Sequence, residues 1–574
     1  MRGAGVAPIE RRRPFPSTLA PAGGLRGRRL AGAAGPKRPS PGVSDSVDLL
    51  ITAGTLVDGT GAPGRPGNVV VEGVRLRLLS ADAPQPHAAR TIDATGKVVA
   101  PGFIDLHSHG GLVILADPRH EPKVKQGITT ELVGVDGLSY APFLNNEDLQ
   151  QLREMNAGLD GDPDGVAFDW TSVASYLDRL DGKSLNVATL VGNTPVRIAA
   201  LGWNDEPADA QAIKNQRAVV REAMQDGAFG LSSGLDYPPG AYATTAELSE
   251  LAAEAGTRGG FYHTHVRYSL GDRFLDPFRE AIEIGRRSGA PAHITHFYHR
   301  TTFPGTPEQM LALVDEARTT GQDVTFDAYP YEWASTRLLI LIPIWVQDGG
   351  PAKTKERLAD KAIRDRIRED LTKRGQLYAG AGGLRDIRIG QLGQPENRRW
   401  EGRRLGELID DRGEDPVDVL CDLLLTENLR PNEVTPGPHT DGIRRFLRHP
   451  IGMVGTDSTF VAEKPSPRTY GSYPRILGQF VRDEGILGLE EAVRRMTGAA
   501  AARLGLRTRG TLKDGATADL VIFDPATVRS DATVDDPRQD PVGIETVIVN
   551  GVLVVDEGTH TGATPGRALR HGRD

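Results

Sequence analysis

Cysteine is almost absent from this chain, and long apolar runs are absent altogether. Cys421 is the one cysteine among 574 residues, so no disulfide can form within the chain and a zinc site built from several thiolates is excluded. Any metal ion must be bound by His, Asp, Glu or water. No segment approaches the roughly 20 consecutive apolar residues that span a bilayer. We therefore expect a cytoplasmic protein that does not associate with membranes.

The start of the chain is rich in arginine, whereas the chain as a whole is acidic. The formal net charge is -8 at pH 7, which argues against nucleic acid as a partner of the whole molecule. Residues 1–46 are rich in Arg, Pro, Gly and Ala and lack both a periodic apolar pattern and the apolar segment of a secretory signal. We predict a disordered arm there. Such an arm could touch nucleic acid or act as a transit peptide, but an unstructured extension or a start codon assigned too early is the simpler interpretation.

Short apolar strands at both ends of the chain predict one shared domain. Residues 47–100 contain several strand-like runs separated by Asn, Asp and Gly. Residues 508–560 repeat the pattern, for example in Asp-Leu-Val-Ile-Phe at 519–523. We predict a small β-sandwich formed from both segments, followed by a C-terminal tail at 561–574.

Between these ends, short apolar runs alternate with helical stretches, which is the pattern of βα units around a parallel sheet. We predict an α/β fold in which residues 101–507 form a (β/α)8 TIM-like barrel. The region before 450 is too long for one crossover and predicts an inserted lid at about 345–400, as well as an amphipathic helix at 416–427. The predicted strands are 103–107, 130–133, 186–191, 228–231, 260–265, 292–296, 324–329 and 451–456.

The first predicted barrel strand ends in two histidines. It lies in Pro-Gly-Phe-Ile-Asp-Leu-His-Ser-His at 101–109, so that His107 and His109 are two positions apart. Residues two apart in a strand point to the same face, so both imidazoles are directed to one point. Neutral imidazole is a common ligand of zinc and similar ions. The motif therefore predicts a metal site.

Two further predicted strands end in histidines. His265 closes Gly-Phe-Tyr-His-Thr-His, and His296 closes Ala-His-Ile-Thr-His. Both lie near the strand end, where barrel enzymes build their sites. We interpret the nearby His293 as a core residue that does not bind metal. His263 stays undecided, because it faces the same way as His265.

A carboxylate ends the last predicted strand, in Met-Val-Gly-Thr-Asp-Ser at 453–458. Alone, Asp457 would be interpreted as an ordinary helix cap. Beside four histidines on companion strands, it can bind a metal and accept the proton of a water whose pKa the metal lowers. We therefore predict that Asp457 is both a metal ligand and the catalytic acid–base residue.

These motifs resemble those of the amidohydrolase superfamily and, within it, of the D-aminoacylase or N-acyl-D-amino-acid deacylase family. The similarity extends from about 48 to 570. Two stretches are typical of that family: Asp-Val-Thr-Phe-Asp-Ala-Tyr-Pro-Tyr at 323–331 and Pro-Arg-Thr-Tyr-Gly-Ser-Tyr-Pro-Arg at 467–475. The resemblance implies a metal-dependent hydrolase barrel that cleaves the linear amide of an N-acyl-D-amino acid.

The resemblance also implies which residues bind metal. His107 and His109 would bind one ion together with Asp457. His265 and His296 would bind the other. We expect one or two Zn²⁺ ions.

The same resemblance implies a substrate subsite. Tyr329, Ser335 and Arg468 match positions that hold the substrate carboxylate, for which a guanidinium fork and hydroxyls are suited. Arg337 follows Ser335 closely and would either reach an acidic side chain of the substrate or lie on the lid surface.

The chain departs from the family at the turn after the second strand. Where the family usually has a metal-binding cysteine in Gly-Asn-Cys-Gly, this chain has Gly-Val-Asp-Gly, with Asp136 in the place of the cysteine. A carboxylate can still bind or bridge metals, but it is harder than sulfur. Mn²⁺ or Co²⁺ are therefore alternatives to Zn²⁺.

Two other functions stay open. A cyclic amidase acting on hydantoin- or dihydropyrimidine-like rings would keep the site, but such relatives usually carry a carboxylated lysine at a strand end, and the fourth strand here ends in Gly-Leu-Ser-Ser-Gly. A barrel that serves only as a binding module would have lost its metal ligands. We expect a monomer or small homo-oligomer whose partner is its small-molecule substrate, an N-acyl amino acid.

Overall fold

The computed structural model describes residues 46–143, 145–268, 274–299, 305–378, 383–437 and 440–574, with the side chains of 374–378 left aside. The predicted arm lies outside these residues except for Ser46, which begins the first strand. The strands are β1 (Ser46–Leu56), β2 (Arg65–Glu72), β3 (Arg75–Ser80), β4 (His87–Asp93), β5 (Val98–Pro101), β6 (Phe103–Asp105), β7 (Ile128–Val133), β8 (Asn186–Thr189), β9 (Val191–Gly192), β10 (Gly230–Gly234), β11 (Phe261–His265), β12 (Ala292–Ile294), β13 (Val324–Ala328), β14 (Trp333–Arg337), β15 (Arg388–Gly390), β16 (Asn432–Pro436), β17 (Gly452–Val454), β18 (Leu520–Phe523), β19 (Ile544–Val549), β20 (Val552–Asp556) and β21 (Thr559–His560).

Helices occupy most of the connections between these strands. They are α1 (Val113–Ala116), α2 (Glu121–Val124), α3 (Asn146–Asp160), α4 (Val173–Arg179), α5 (Asn193–Leu201), α6 (Ala210–Asp226), α7 (Thr245–Gly256), α8 (Asp276–Ser288), α9 (Pro307–Thr319), α10 (Gly350–Ala359), α11 (Lys361–Tyr378), α12 (Leu405–Arg412), α13 (Pro416–Thr426), α14 (Thr440–Arg448), α15 (Arg468–Arg475), α16 (Leu489–Met496) and α17 (Gly498–Leu504). Their ends follow local chemistry: α6 begins where the Asp209 side chain accepts the N–H of Ala212.

Strands from both ends of the chain pair in one nine-stranded sheet. The two ends join at the antiparallel pair of β5 and β18, where Val99 lies opposite Ile522. Both of these side chains are buried in a core of the β domain itself. Their neighbours Val98 and Phe523 point the other way, into the core that continues through the barrel. The β domain and the barrel therefore share a core at this strand pair.

Eight parallel strand positions close into a barrel, which confirms the predicted fold class. One sheet has the order β6-β7-β8 and the other β17-β13-β12-β11-β10-β9, with β8 and β9 interrupted only at Leu190. The circle closes beyond the ends of β6 and β17. There the N–H of His109 donates to the carbonyl of Ser458 (3.1 Å), and the N–H of Asp457 donates to the carbonyl of His107 (2.8 Å). The first and last strands thus end side by side.

The insertion between β13 and β17 contains a small sheet as well as helices. β14, β16 and β15 form an antiparallel sheet in that order. The segment predicted as a lid contains α10 and α11, and the predicted amphipathic helix is α13. Cys421 on α13 is buried, which raises the pKa of its thiol to about 12 and accords with a core residue.

The C-terminal residues pack against the barrel. Gly566 and Ala568 form bridges to Lys183 and Val187 near the start of β8, and Leu569 is buried. In the described parts of the chain, no helix has the length and apolar character needed to cross a bilayer.

Candidate metal centre

Six buried side chains from five strand ends converge at the mouth of the barrel. They are the six that the sequence analysis proposed as metal ligands: His107, His109, Asp136, His265, His296 and Asp457. Strand order explains the convergence, because the carboxyl ends of parallel barrel strands open to the same face.

The first subsite consists of His107, His109, Asp136 and Asp457. Nε2 of His107 lies 3.4 Å from Oδ1 of Asp136 and 3.5 Å from Oδ1 of Asp457. Nε2 of His109 lies 3.6 Å from Oδ2 of Asp136 and 3.3 Å from Oδ1 of Asp457. Ligands of a tetrahedral zinc ion, bound at about 2.0–2.2 Å, are themselves roughly 3.3–3.6 Å apart. The spacing therefore fits a shared cation.

The second subsite consists of His265, His296 and the same Asp136. Nδ1 of His265 and Nε2 of His296 lie 3.5 Å and 3.8 Å from Oδ2 of Asp136. The two ring nitrogens are 3.0 Å apart. Because Asp136 belongs to both groups of residues, its carboxylate would help to hold an ion in either of them, as a carboxylate in place of the family cysteine allows.

Unpaired buried atoms support a divalent ion at this point. Both ring nitrogens of His107 and Oδ1 of Asp136 are buried and have no hydrogen-bond partner among the described residues. Leaving such a group unpaired costs about 1–3 kcal/mol, which a cation would offset. A donor set of imidazoles and carboxylates without sulfur suits zinc, manganese or cobalt. The residues present fit the metal that the family resemblance implies.

Charge in the centre keeps its carboxylates ionised. Burial acts to raise the pKa of Asp136, but His107, His109 and His265 outweigh it and hold that pKa well below its usual range. Burial likewise acts to raise the pKa of Asp457, and the charges of Arg468 and His107 lower it instead. Both carboxylates are therefore available to a metal, which binds only the deprotonated form.

Three of the six residues adopt a left-handed backbone conformation. The φ angles are 53° at Asp136, 32° at His296 and 51° at Asp457. Residues other than glycine rarely adopt this backbone conformation, which costs on the order of 1–3 kcal/mol for each residue. The conformation turns each side chain from its strand end toward the centre. Gly137 beside Asp136 has a φ of 70°, and a Cβ there would come within 2.3 Å of Oδ1 of Asn193.

The sequence motifs did not predict the carboxylates that lie behind two of the histidines. Nδ1 of His109 donates to Oδ1 of Asp160 at 2.7 Å, and the hydroxyl of Tyr140 donates to Oδ2 of Asp160 at 2.6 Å. Nε2 of His265 lies 3.1 Å from Oδ2 of Asp236. Such partners set the orientation and tautomer of metal-binding imidazoles. The position of Asp236 just after β10 could have revealed it, whereas Asp160 ends a helix and carries no local signal.

The other histidines of β11 and β12 lie deeper in the barrel. His293 bonds to Oγ1 of Thr325 (2.8 Å) and Oδ2 of Asp327 (2.9 Å), and His263 stacks on it with ring centroids 5.3 Å apart. Oδ1 of Asp327 accepts the backbone N–H of His296 at 2.8 Å. This layer therefore supports the second subsite from below.

The predicted carboxylate-binding residues line the cavity above the centre. Tyr329, Ser335 and Arg468 all border it. Nη1 of the buried Arg468 lies 2.8 Å from Oδ2 of Asp457, and Nη2 donates to the carbonyl of Ser335 at 2.8 Å. The guanidinium carbon lies 4.6 Å from the ring centroid of Tyr329. The structure thus brings the three together and adds a direct pair between Arg468 and Asp457.

Arg337 is not a surface residue. Its side chain is fully buried, and Nη1 donates to the carbonyl of Met155 (2.6 Å) and to Oδ1 of Asn156 (2.8 Å). The expectation that it could lie on the lid surface is wrong, because these acceptors on α3 hold the guanidinium inside. It is absent from the residues that border the cavity in the described part of the chain.

Comparison with known proteins agrees with the fold. The Amidohydrolase family matches residues 90–340 and 414–555. D-aminoacylase of Alcaligenes xylosoxydans xylosoxydans is 35% identical over 531 residues, which are 92% of this chain and 98% of that protein. A solved D-aminoacylase with a binuclear metal centre is 33% identical, with a TM-score of 0.76, and the match covers 91% of this chain and 100% of that one.

A second solved structure is N-acyl-D-glutamate deacylase from Bordetella bronchiseptica, in complex with zinc and a phosphonate that mimics the tetrahedral intermediate. It is 31% identical, with a TM-score of 0.76, and the match covers 92% of this chain and 100% of that one. Dihydropyrimidinase from Brevibacillus agri is far more distant, at 16% identity and a TM-score of 0.50, and shares the fold alone.

The fold and the site therefore define an enzyme of the amidohydrolase class. Within that class, the chain belongs to the D-aminoacylase family.

Proposed function

We propose that the protein hydrolyses the amide bond of N-acyl-D-amino acids and releases a D-amino acid and a carboxylate. The observation that carries the proposal is the placement of Arg468 against the six-residue centre. Its contact with Asp457 holds a guanidinium, a group suited to carboxylates, directly beside the proposed metal ligands. The relatives named D-aminoacylase and N-acyl-D-glutamate deacylase support the same reaction.

We propose Zn²⁺ as the ion of one or both subsites, with Mn²⁺ and Co²⁺ as competitors. Asp136 is a harder ligand than a thiolate, so it weakens the preference for zinc. When bound, the ion supplies Lewis acidity and lowers the pKa of water.

Asp457 moves the proton. It takes the proton from the attacking water and returns it to the leaving nitrogen, while the water oxygen bonds to the acyl carbon and the C–N bond breaks. Oδ1 of Asp457 faces His107 and His109, and Oδ2 faces Arg468. The carboxylate is therefore held between the ligand set and the substrate subsite.

Arg468 orients the substrate. Its Nε has no hydrogen-bond partner among the described residues, so a donor remains for the substrate carboxylate. Ser335 and Tyr329 border the same part of the cavity. When the carboxylate and the scissile carbonyl of the substrate are both held, the substrate side chain can point in only one direction. This constraint selects one enantiomer.

The test is a chiral amine-release assay on racemic N-acetyl amino acids. Metal-free protein is reloaded separately with zinc, manganese or cobalt, and the enantiomers of the released amino acid are separated. We expect release of the D-amino acid only, lost by on the order of 10²–10⁴-fold in Asp457→Asn, because that variant cannot transfer the proton.

Asp410→Asn, an exposed aspartate of α12, serves as the matched control and should keep wild-type activity. Release of both enantiomers, or no release from any N-acyl amino acid with any of the three metals, would contradict the proposal. Turnover of cyclic amides instead would favour the hydantoinase-like alternative.

A further inference from the structure

A buried ionic network lies directly behind the first subsite. The side chains of Asp105, Lys123 and Glu131 are all 0% exposed. Nζ of Lys123 contacts Oδ2 of Asp105 and lies 3.8 Å from Oε2 of Glu131. The same Nζ donates a hydrogen bond to Oγ1 of Thr456 at 2.7 Å. Burying three ions is costly unless each is well compensated. None of these groups takes part in the chemistry proposed above, so the network needs another explanation.

Asp105 spans the seam between the first and last barrel strands. Its Oδ1 accepts the N–H of His107 (3.1 Å) and the N–H of Thr456 (2.9 Å). Its Oδ2 accepts the hydroxyl of Thr456 at 2.6 Å. His107 is a proposed ligand, and Thr456 immediately precedes Asp457, which is another. One carboxylate therefore sets the relative positions of two ligand-bearing strand ends.

The rest of the network joins the second strand to the same point. Glu131 on β7 accepts the hydroxyl of Ser108 at 2.7 Å and lies 3.3 Å from Nε2 of His120. Burial acts to raise the pKa of Glu131, but His120 and Lys123 outweigh it and lower that pKa. Ser108 lies between His107 and His109 in the chain. The two carboxylates on β6 and β7 thus hold both sides of the His-x-His segment, and Lys123 compensates their charge.

We propose that Asp105 and Lys123 are positioning residues that hold His107 and Asp457 at ligand separation and so determine the metal affinity of the first subsite. The inference rests on the metal centre proposed above. The histidines of the second subsite are held differently, by the Asp236 carboxylate and the N–H bond to Asp327. Loss of Lys123 leaves Asp105 without its cation and disturbs the seam, whereas the ladder between β11 and β12 is unchanged.

The experiment measures metal affinity rather than turnover. Metal-free full-length protein is titrated with Zn²⁺ against a chromophoric chelator, which gives one dissociation constant for each subsite. In Lys123→Met we expect one constant to rise by about 10–100-fold, as for other residues that support metal ligands, and the other to stay unchanged.

A double variant tests the charge argument. In Asp105→Asn combined with Lys123→Met, both charges are removed and the amide oxygen can still accept the N–H groups of His107 and Thr456. We expect the affected dissociation constant to return to within about threefold of the wild-type value. The effects of the two substitutions should not add, because the two side chains are in direct contact.

Arg197→Met is the matched control. Arg197 and Glu247 form a buried pair, with Nη1 at 2.7 Å and 2.8 Å from the two carboxylate oxygens, and they join α5 to α7 away from the seam. We expect the control to lower the Tm as Lys123→Met does while leaving both dissociation constants unchanged. Unchanged constants in Lys123→Met, with a lowered Tm, would overturn the inference and make the network purely structural.

Thr456→Val provides a milder test if Lys123→Met does not fold. It removes the hydroxyl that joins Asp105 to Lys123 and keeps the shape of the side chain. A rise in the same dissociation constant supports the inference, and no change in either constant overturns it. Wild-type protein that binds no zinc in either subsite would instead overturn the metal centre itself.

Discussion

The two proposed metal subsites lie side by side but are built by different means. His265 and His296 follow adjacent strands, and the regular parallel ladder between β11 and β12 sets their spacing. His107 and Asp457 follow the first and last strands of the barrel, where the bond from Thr456 to Asp105 joins residues 351 positions apart in the sequence. Buried ions reinforce that seam and have no counterpart of the same size behind the second subsite in the described residues.

The difference shows how a barrel can position ligands in two ways. Where two strands are neighbours in sequence and in space, the backbone ladder holds the register, and side-chain bonds such as that from the N–H of His296 to Asp327 add to it. Where the sheet must close on itself, β6 and β17 share few ladder bonds, and side-chain hydrogen bonds to backbone N–H groups replace them. The second arrangement depends more on charge and is easier to disrupt by a single substitution.

Asp136→Ala should have the largest effect, because this carboxylate belongs to both subsites. We expect neither subsite to retain a tightly bound ion and kcat/KM to fall by on the order of 10³-fold, the equivalent of several kcal/mol of lost metal stabilisation. Metal content per chain after gel filtration is the measurement. A variant that keeps one full equivalent of metal per chain would show that one subsite is complete without Asp136. Asp136 would then belong to the other subsite alone.

Arg468→Met should have the next largest effect, chiefly on substrate binding, and it also removes the positive charge that is paired with Asp457. Removing a charged hydrogen-bond donor worth about 1.5–3 kcal/mol should lower kcat/KM by roughly 10- to 150-fold, mainly through KM. Arg337→Met is the matched control, since that guanidinium is also buried but binds α3. If the control raises KM to the same extent, Arg468 is not the specific carboxylate ligand.

Asp160→Asn and Asp236→Asn should have the smallest effects and distinguish the subsites most sharply. Asp160 supports His109 in the first subsite, and Asp236 supports His265 in the second. Each variant should weaken one zinc dissociation constant by about 10–100-fold and leave the other unchanged. Titration against a chelator, as for Lys123→Met, tests this. If both zinc dissociation constants rise in each variant, then each carboxylate influences both subsites.

The end of one barrel strand was not predicted correctly. The prediction of a strand at 228–231 placed its end too early, since β10 continues to Gly234. Polar residues such as Ser233 do not resemble a buried strand, yet its hydroxyl bonds to the hydroxyls of Tyr262 (2.7 Å) and Thr264 (2.8 Å) on the next strand. Pairing across the barrel therefore satisfies groups that the local pattern assigns to a loop.

Patterns along the chain were enough to predict the class of fold and the six candidate ligands. Alternation in a strand places His107 and His109 on one face, and a carboxylate or imidazole after a barrel strand points to the shared mouth. Both are consequences of backbone geometry over a few residues. The tertiary structure decided everything that depends on residues distant in sequence. Asp105 meets Thr456 only because the barrel closes, and Arg337 is buried only because α3 supplies its acceptors. No local pattern encodes these contacts, since they depend on which surfaces the folded chain brings together.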